Sequence, residues 1–284
     1  MSNKHVDLFY SSESALRHPL NLFRTMIDYL LASWQLGLRL TIRDISAQYR
    51  QSLLGILWAF IPPILTTIVF VILNKYKVLN TGEINMPYPV YAFTGIILWQ
   101  LFTDSLMTPL KIGRESRIMI TKINFPHESL LISSVLQTLF SFAIKLMLLI
   151  ILFFLYSVSI SWTSIFFPIA VLGLILLGIS LGVFLLPLSM LYNDISNAIT
   201  MILGLWLFIT PVIYMPSSTG LLGKITAFNP VTPVLLNSRD MLLNGTFAYF
   251  NGFILISLLC FFLLLAGWII FRVSLPFIIE RASA

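Results

Sequence analysis

Charged residues are scarce in this sequence. Only 10% of its 284 residues are Asp, Glu, Lys or Arg, whereas a soluble globular domain contains about 25%. Hydrophobic residues make up 58% of the chain. So few charges could not keep that much apolar surface in water, so the composition predicts an all-α integral membrane protein.

Cysteine and histidine are also nearly absent. The single cysteine, Cys260, excludes a disulfide within the chain. The three histidines are scattered over two polar segments, and no Cys, His and Asp residues have the spacing of a metal site. The closest match to a phosphate-binding loop, residues 220–224, lacks the four-residue gap between its glycines. We therefore expect no enzyme activity and no metal or cofactor in this chain.

Apolar runs dominate what the sequence does contain. Six of them are long enough to cross a hydrocarbon core of about 30 Å, which takes about 20 helical residues. We predict membrane spans at Leu53–Leu73, Pro89–Met107, Leu130–Tyr156, Trp162–Leu186, Ile195–Tyr214 and Phe250–Phe271. Residues 53–284 would then form one transmembrane domain.

The Lys and Arg residues between the spans indicate the orientation. With the N-terminus in the cytoplasm, twelve of them lie on that side. Four lie outside (Lys75, Lys77, Lys224 and Arg239), and Lys145 lies within a span. Cytoplasmic segments of membrane proteins carry such an excess, which predicts that both termini are cytoplasmic. The same rule explains the net charge of +6 without a nucleic-acid partner.

Residues 20–52 comprise an amphipathic stretch, residues 20–38, and a basic motif after it. Residues 1–19 before them are polar, and we expect a loosely ordered tail there. Apolar residues then recur at helical spacing, interrupted by charges, at Phe23, Ile27, Leu30, Trp34 and Leu38. A helix this polar does not span, so we expect it to lie in the membrane interface among the lipids. The alternative is a helix packed on other protein.

The connection at residues 216–248 contains turn-forming residues and leucines together. Its breaks are marked by Pro216, Asn229, Pro230 and Pro233. A solvated loop would not need the leucines, so we predict two short helices, broken at Asn229–Pro230, that re-enter the membrane from outside. A small folded external cap is the alternative.

Two charged residues fall within predicted spans. Asp104 and Lys145 are on the second and third spans, where ionised groups are costly and often functional. A proton relay and a structural ion pair are both consistent with these residues, and the ion pair is favoured because no further acid lies in any span. The energy for transport would then come from another subunit.

Several short motifs follow one another along the chain. Arg43-Asp44, Tyr49-Arg50, Ser52, Leu54-Gly55, Leu57-Trp58 and Pro62 resemble the pattern RDxxxRYRxSxLGxLWxxxxP, whose last spacing would place the proline at Pro63. Residues 122–126 read KINFP, Asp194-Ile195 ends an RDI-like element, residues 210–214 read TPVIY, and residues 229–233 read NPVTP. Together they resemble the membrane subunits of type-2 ABC exporters for polysaccharides and polyol phosphates. Gln48 and Asn193 stand where that family has arginine.

The resemblance implies a function and partners. Such subunits form homodimers in the bacterial inner membrane and join two separate ATP-binding subunits, which hold the ATP and Mg. They export a lipid- or phosphate-linked glycan, such as O-antigen, teichoic acid or capsule. The alternative is an exporter of small lipids or drugs from the same superfamily, which should lack the tyrosine-arginine motif and the NPVTP-like break.

Three sets of candidate site residues follow. A phosphate headgroup would be attracted to an entrance at Arg39, Arg43, Tyr49 and Arg50, although simple membrane anchoring explains those arginines equally well. Aromatic rings suited to sliding sugars are Tyr91, Phe93, Trp99, Phe102, Trp206, Phe208 and Tyr214. Coupling to the ATPase is expected in the basic internal segment, at Lys111, Arg114, Arg117 and Lys122.

Overall fold

The computed structural model describes residues 19–50, 52–78, 81–82, 84, 86–123, 125–216, 220–243 and 245–283. Within them the chain forms helices and no strands. The α-helices are α1 (Pro19–Ala32), α2 (Trp34–Arg50), α3 (Ile61–Lys75), α4 (Tyr88–Glu115), α5 (Arg117–Lys122), α6 (Glu128–Leu155), α7 (Phe167–Leu191), α8 (Asn193–Ile209), α9 (Gly220–Phe228), α10 (Val231–Leu243) and α11 (Phe250–Ser283). Short 3₁₀ helices, Gly55–Ala59 and Trp162–Phe166, precede α3 and α7. Apart from Pro19, the predicted tail lies outside the described residues.

Five helical segments are long and apolar enough to cross a membrane. They are Gly55–Lys75, Tyr88–Glu115, Glu128–Leu155, Trp162–Leu191 and Phe250–Arg281. The protein is therefore a multi-pass integral membrane protein. The remaining predicted span corresponds to α8, an apolar helix of 17 residues that ends at Ile209. Such a helix is about 25 Å long, so a sixth crossing stays a prediction.

The helices extend beyond the predicted spans at their polar ends. Helix α4 continues through Pro109, and α7 continues through Pro187, so that Tyr192 alone separates α7 from α8. Helix α11 runs on to Ser283. The hydropathy of the sequence indicates where an apolar run gives way to charged residues. A helix that packs against its neighbours can continue past that point into the polar segment.

Helices α4 and α7 form the centre of the fold. A Cβ atom at Gly178 would come within 2.4 Å of the Ser105 Cβ, and one at Gly182 would come within 2.6 Å of the Leu106 carbonyl oxygen. These two glycines of α7 therefore allow α4 to approach closely within the same chain. Helix α11 packs on the other side of α7, and α6 and α3 pack on α4.

Helix α2 packs along the first half of α6. A Cβ atom at Gly37 would meet Ile132 at 2.7 Å, and the Thr41 hydroxyl contacts the Ser133 hydroxyl at 3.2 Å. Further along, Tyr49 approaches Phe140. The contacts advance in the same order on both helices, so α2 runs alongside α6. For the part of the amphipathic stretch that lies in α2, this agrees with the alternative of a helix packed on other protein. The interfacial position of α1 stays a prediction.

The predicted pair of short helices after α8 is present. Helices α9 and α10 are separated by Asn229 and Pro230. The backbone N–H of Val231 at the start of α10 donates to the Asn229 side-chain oxygen at 3.0 Å, which caps the new helix. Eleven of the thirteen residues of α10 are buried, namely Val231, Thr232 and residues 234–242, and Pro233 is half-buried. Re-entry into the membrane remains a prediction.

Candidate functional site

The predicted entrance residues lie on α2. Arg39 and Arg50 are exposed. Arg43 is also largely exposed, and its guanidinium pairs with the Asp44 carboxylate at 2.7 Å. The other oxygen of Asp44 accepts a hydrogen bond from Gln137 of α6 at 3.1 Å. Asp44 thus orients Arg43 and also ties α2 to α6.

Tyr49 connects this basic segment to the membrane interior. Its ring lies 6.4 Å from the ring of Phe140 on α6. Burial raises the pKa of the Tyr49 hydroxyl, and the carboxylate of Asp104 raises it further. Tyr49 of the entrance motif therefore lies within electrostatic reach of the charged residue on α4.

The rest of the first motif forms a turn from α2 into the first span. The Gly55 N–H donates to the Ser52 hydroxyl at 3.1 Å, and Gly55 has a φ of +53°. A side chain is strained in that conformation, which gives a physical reason for glycine at the S-x-L-G element. Pro62 then occupies the first turn of α3, where its missing N–H costs nothing.

Asp104 and Lys145 form an ion pair between α4 and α6. The Lys145 Nζ lies 2.7 Å from the Asp104 Oδ2. The lysine side chain is 9% exposed, but that of Asp104 is 36% exposed. On its exposed side Asp104 lines a cavity of about 310 Å³ between α4 and α8. The structure therefore contains the favoured ion pair, and one of its members faces open space.

Three of the predicted pathway aromatics form a cluster beside this cavity. Trp99 and Phe102 of α4 lie 5.3 Å apart, and Trp206 of α8 lies 6.5 Å and 5.7 Å from them. Trp99 also lines the cavity, although only 4% of it is exposed. Phe102 is completely buried.

The structure does not bring the other four aromatics to this cluster. Phe93 faces a different cavity, between α3 and α6. Tyr91 lies beneath a buried arginine and donates to the Tyr214 carbonyl at 3.0 Å. Phe208 is exposed on α8, and Tyr214 is partly exposed. A pathway role for these residues stays a prediction.

Asn229 connects three elements at the predicted break. Its side-chain oxygen accepts from the Trp206 indole N–H at 3.1 Å, in addition to the Val231 N–H. Its amide nitrogen donates to the Thr210 hydroxyl at 2.8 Å. One amide therefore holds the end of α8, the turn that follows it and the start of α10 together. Of the other break residues, Pro230 is exposed, and Pro216 and Pro233 are half-buried.

Sequence reasoning missed Arg239 of α10, which it counted with the external charges. The side chain is 1% exposed, and its Nη2 donates to the carbonyls of Pro211 and Val212 at 2.9 and 2.8 Å. Its guanidinium lies 4.1 Å above the ring of Tyr91. A Cβ atom at Gly95 would come within 1.9 Å of the Val212 oxygen, so glycine makes room for this turn. The available signal was the polar group at residues 237–240, with Arg239 in it, between two runs of apolar residues.

The predicted coupling residues lie at the end of α4 and on α5. Lys111 and Arg114 belong to the last turns of α4, and Arg117 and Lys122 begin and end α5. Lys111 and Lys122 are exposed, and the two arginines are half-buried. Nearby, Ile112, Ile120 and Phe125 pack in one apolar cluster with Leu275 and Ile278 of α11. The basic segment is thus firmly joined to the helices.

A third ionic contact joins α11 to the start of α6. Arg272 of α11 lies 3.6 Å from the Glu128 carboxylate and 4.7 Å above the ring of Tyr29. His127, just before α6, is buried next to the ring of Phe125. Burial lowers the pKa of His127 to about 4, and the neighbouring Arg272 charge lowers it too. In the part of the chain that is described, no three His, Cys, Asp or Glu side chains gather as metal ligands would.

Comparison with known proteins gives consistent results. A family model described as ABC-2 type transporter matches residues 36–243. The O-antigen export system permease protein RfbA of Myxococcus xanthus is 32% identical over 178 residues, which is 62% of this chain and 66% of that protein. The chain thus matches just under two thirds of that relative. An O-antigen export system permease protein RfbA of Klebsiella pneumoniae is 24% identical over 230 residues, 76% of this chain and 86% of that protein.

Proposed function

This chain belongs to the ABC-2 type transporter family, and we propose that it is the membrane subunit of an ATP-driven exporter of a lipid- or phosphate-linked glycan. The observation that carries the proposal is the 32% identity to a protein named as an O-antigen export permease. The chain lies in the inner membrane of a bacterium, where a glycan made in the cytoplasm must cross. O-antigen is the first candidate among such glycans.

The geometry supports transport of a polar molecule. Most of the chain's charged residues lie outside the apolar segments, but Asp104 faces a cavity between α4 and α8. The first motif joins a basic helix to the first span through the turn at Gly55. A negatively charged headgroup approaching from the cytoplasm would meet Arg39, Arg43 and Arg50 on α2, where Tyr49 lies against Phe140 of α6.

The proposal includes an assembly. Two copies of this chain, each with six spans and cytoplasmic termini, would pair with two ATP-binding subunits, which supply ATP and Mg chemistry. The chain itself then has no catalytic residue. Lys111, Arg114, Arg117 and Lys122 would contact the ATPase, since the end of α4 and α5 are packed against α11 and would transmit movement. Helices α9 and α10 would re-enter the membrane near the outer exit.

Deletion of this chain in its native host tests the proposal. We expect the surface glycan to disappear and its lipid-linked form to accumulate in the cytoplasm, and a plasmid copy of the chain should restore export. Staining of the surface glycan and extraction of lipid-linked polymer are the measurements. Normal surface glycan, with retention of a small lipid or a drug instead, would support the alternative exporter.

A further inference from the structure

We propose that the cavity between α4 and α8 is a sugar-binding subsite, in which Asp104 accepts hydrogen bonds from the hydroxyl groups of a passing glycan unit. The proposal rests on the function proposed above and adds a named binding group to it. Three features carry it: the exposed carboxylate, the size and lining of the cavity, and the open space at Gly204.

The carboxylate has remaining capacity to accept hydrogen bonds. Lys145 occupies Oδ2 at 2.7 Å, and among the described residues no donor other than Lys145 contacts the Asp104 side chain. Oδ1 therefore remains available on the side that is exposed. An ionised carboxylate accepts hydrogen bonds about twice as strong as those of a neutral acceptor, and vicinal sugar hydroxyls are well-matched donors.

The exposed carboxylate also argues against lipid as the occupant. Charged groups are costly against hydrocarbon and instead face protein or a water-filled cavity. Over a third of the Asp104 side chain is nevertheless exposed in the single chain, which argues that the space beside it holds water, a polar ligand or polar groups of another protein chain, and not lipid. The hydroxyls of Thr103 and Thr200 lie on the same lining, although each already donates to a backbone carbonyl of its own helix.

The cavity has the size and walls of a small ligand site. Its volume of about 310 Å³ is at the lower end of the range of about 300–1,000 Å³ for ligand pockets. Trp99 and Leu203 supply apolar wall, and sugars present apolar ring faces between their hydroxyls. One carboxylate beside an aromatic edge suits one or two sugar units held weakly, as movement through a transporter requires.

Gly204 keeps the cavity open on the α8 side. A Cβ atom there would meet no other atom of the chain within 4 Å, so a side chain at this position would begin in open space. Ala198 is a matched control, because it is also exposed on α8 and does not line this cavity. The chain's single cysteine, Cys260, is buried and can be replaced by alanine for labelling.

Cysteine labelling tests whether a glycan occupies the cavity. Gly204→Cys and Ala198→Cys are made in the Cys260→Ala background and expressed with the partner ATPase in the glycan-producing host. We expect a water-soluble maleimide to label residue 204, and the label to be lost when lipid-linked polymer is made and its export is stalled by an inactive ATPase. Labelling at residue 198 should not depend on the polymer. Failure to label residue 204, or labelling that the polymer leaves unchanged, overturns the proposal.

Substitution of the ion pair separates binding from structure. Asp104→Asn keeps an acceptor oxygen but removes its charge, and it should lower the export rate about tenfold, the difference between a hydrogen bond to a charged group and one to a neutral group, while the amount of protein in the membrane is unchanged. In the double variant Asp104→Lys with Lys145→Asp the ion pair is reversed. If Asp104→Asn lowers the amount of protein in the membrane, the reversed pair should restore that amount. Its export rate should nevertheless stay low. Full export by the reversed pair would show that Asp104 serves only the fold.

Each outcome is distinguishable from failure of the proposed function. If deletion of the whole chain leaves the surface glycan intact, the proposed function is wrong. If deletion abolishes export while both the Asp104→Asn variant and Gly204→Leu export normally, the chain is the exporter and the cavity is not a subsite. Ala198→Leu should export normally in every case.

Discussion

Helices α4 and α11 are both long enough to cross a membrane, but α4 is mostly buried in the protein and α11 is mostly exposed on its surface. Helix α4 is the least apolar of the five candidate spans and carries Gln100 and Asp104, yet 78% of its most apolar window is buried. Helix α11 is the most apolar, and 22% of the corresponding window is buried. In a soluble protein the more apolar helix would be the more buried of the two. Lipid tails are as apolar as leucine, so leucines gain little by burial and the helix with polar groups takes the centre.

The difference also shows which contacts hold such a fold together. Around α4 the contacts are close approaches at glycines, hydrogen bonds to backbone carbonyls and one ion pair. Along the first two thirds of α11 many of the leucines and phenylalanines are exposed. Substitutions of the same kind should therefore have different effects on the two helices.

The largest effect is expected from Arg239→Met, which removes a polar contact at the buried side of α4. The carbonyls of Pro211 and Val212 would lose their donor, and the contact with Tyr91 would be lost. Each unsatisfied buried acceptor costs about 1–3 kcal/mol, so we expect a loss of about 3 kcal/mol or more. Thermal unfolding of the detergent-solubilised protein, followed by tryptophan fluorescence, measures it. Arg239→Lys should be intermediate, because an ammonium lacks the planar fork of a guanidinium.

Arg50→Met is the control for that measurement. It removes an exposed arginine at the end of α2 and should change stability by less than about 0.5 kcal/mol. Equal effects at Arg50 and Arg239 would mean that burial does not determine the contribution of arginine in this protein.

A matched pair of leucines tests the comparison directly. Leu98 on α4 is completely buried, whereas Leu259 on α11 is 56% exposed. Leu98→Ala should cost about 2–5 kcal/mol because it leaves a cavity. Leu259→Ala should cost less than about 0.5 kcal/mol, because lipid fills the space. Unfolding temperatures in lipid nanodiscs measure both, and a loss at Leu259 as large as that at Leu98 would contradict the lipid-facing assignment of α11.

A smaller effect is expected from the protonation of His127. This residue lies near Arg272, in the last third of α11, where that helix packs on other parts of the protein. The pKa of His127 is lowered from 6.5 to about 4 in the folded state, so between these values the unfolded chain binds more protons. The stability contribution is complete above pH 6.5 and is lost as the pH falls toward 4, by about 1 kcal/mol at pH 5.5.

His127→Phe isolates that contribution. It keeps a ring next to Phe125 but cannot be protonated, so the difference in unfolding temperature between pH 8 and pH 5.5 should become smaller than in the unsubstituted protein. The two proteins compared at pH 8 give the effect of the substitution alone. An unchanged pH dependence would show that His127 does not titrate in this range.

Much of the helical arrangement follows from the sequence, for identifiable reasons. Long apolar runs predict helices in a membrane because the backbone has no other way to satisfy its hydrogen bonds there. The break at Asn229–Pro230 was predictable because proline lacks an N–H and asparagine caps the following helix. The small-xxx-small spacing of Gly178 and Gly182 on α7 is likewise typical of close helix packing, which the structure contains at both glycines.

The parts that sequence reasoning missed depend on tertiary packing. The predicted second span ends at Met107, but α4 continues past it, and Pro109 packs beside Gly182 inside the continuous helix. Arg239 looked like an external charge because its partners, the carbonyls of Pro211 and Val212, are more than 25 positions away. The aromatics could be assigned to helices but not to faces, so Phe93 and Trp99 were grouped although they face different cavities.

Tyr192, the single residue between α7 and α8, limits how α8 can move. A one-residue connection fixes where α8 begins relative to the end of α7. Helix α8 therefore cannot move along its own axis by a helical turn while α7 stays in place. At its other end Asn229 ties Trp206 and Thr210 to the start of α10. The width of the space beside Asp104 can therefore change only by rotation or bending of α8 between two fixed ends, or by α8 moving together with α10. A transport cycle that opens this space would thus either bend or rotate α8 between its two fixed ends or move α8 and α10 together.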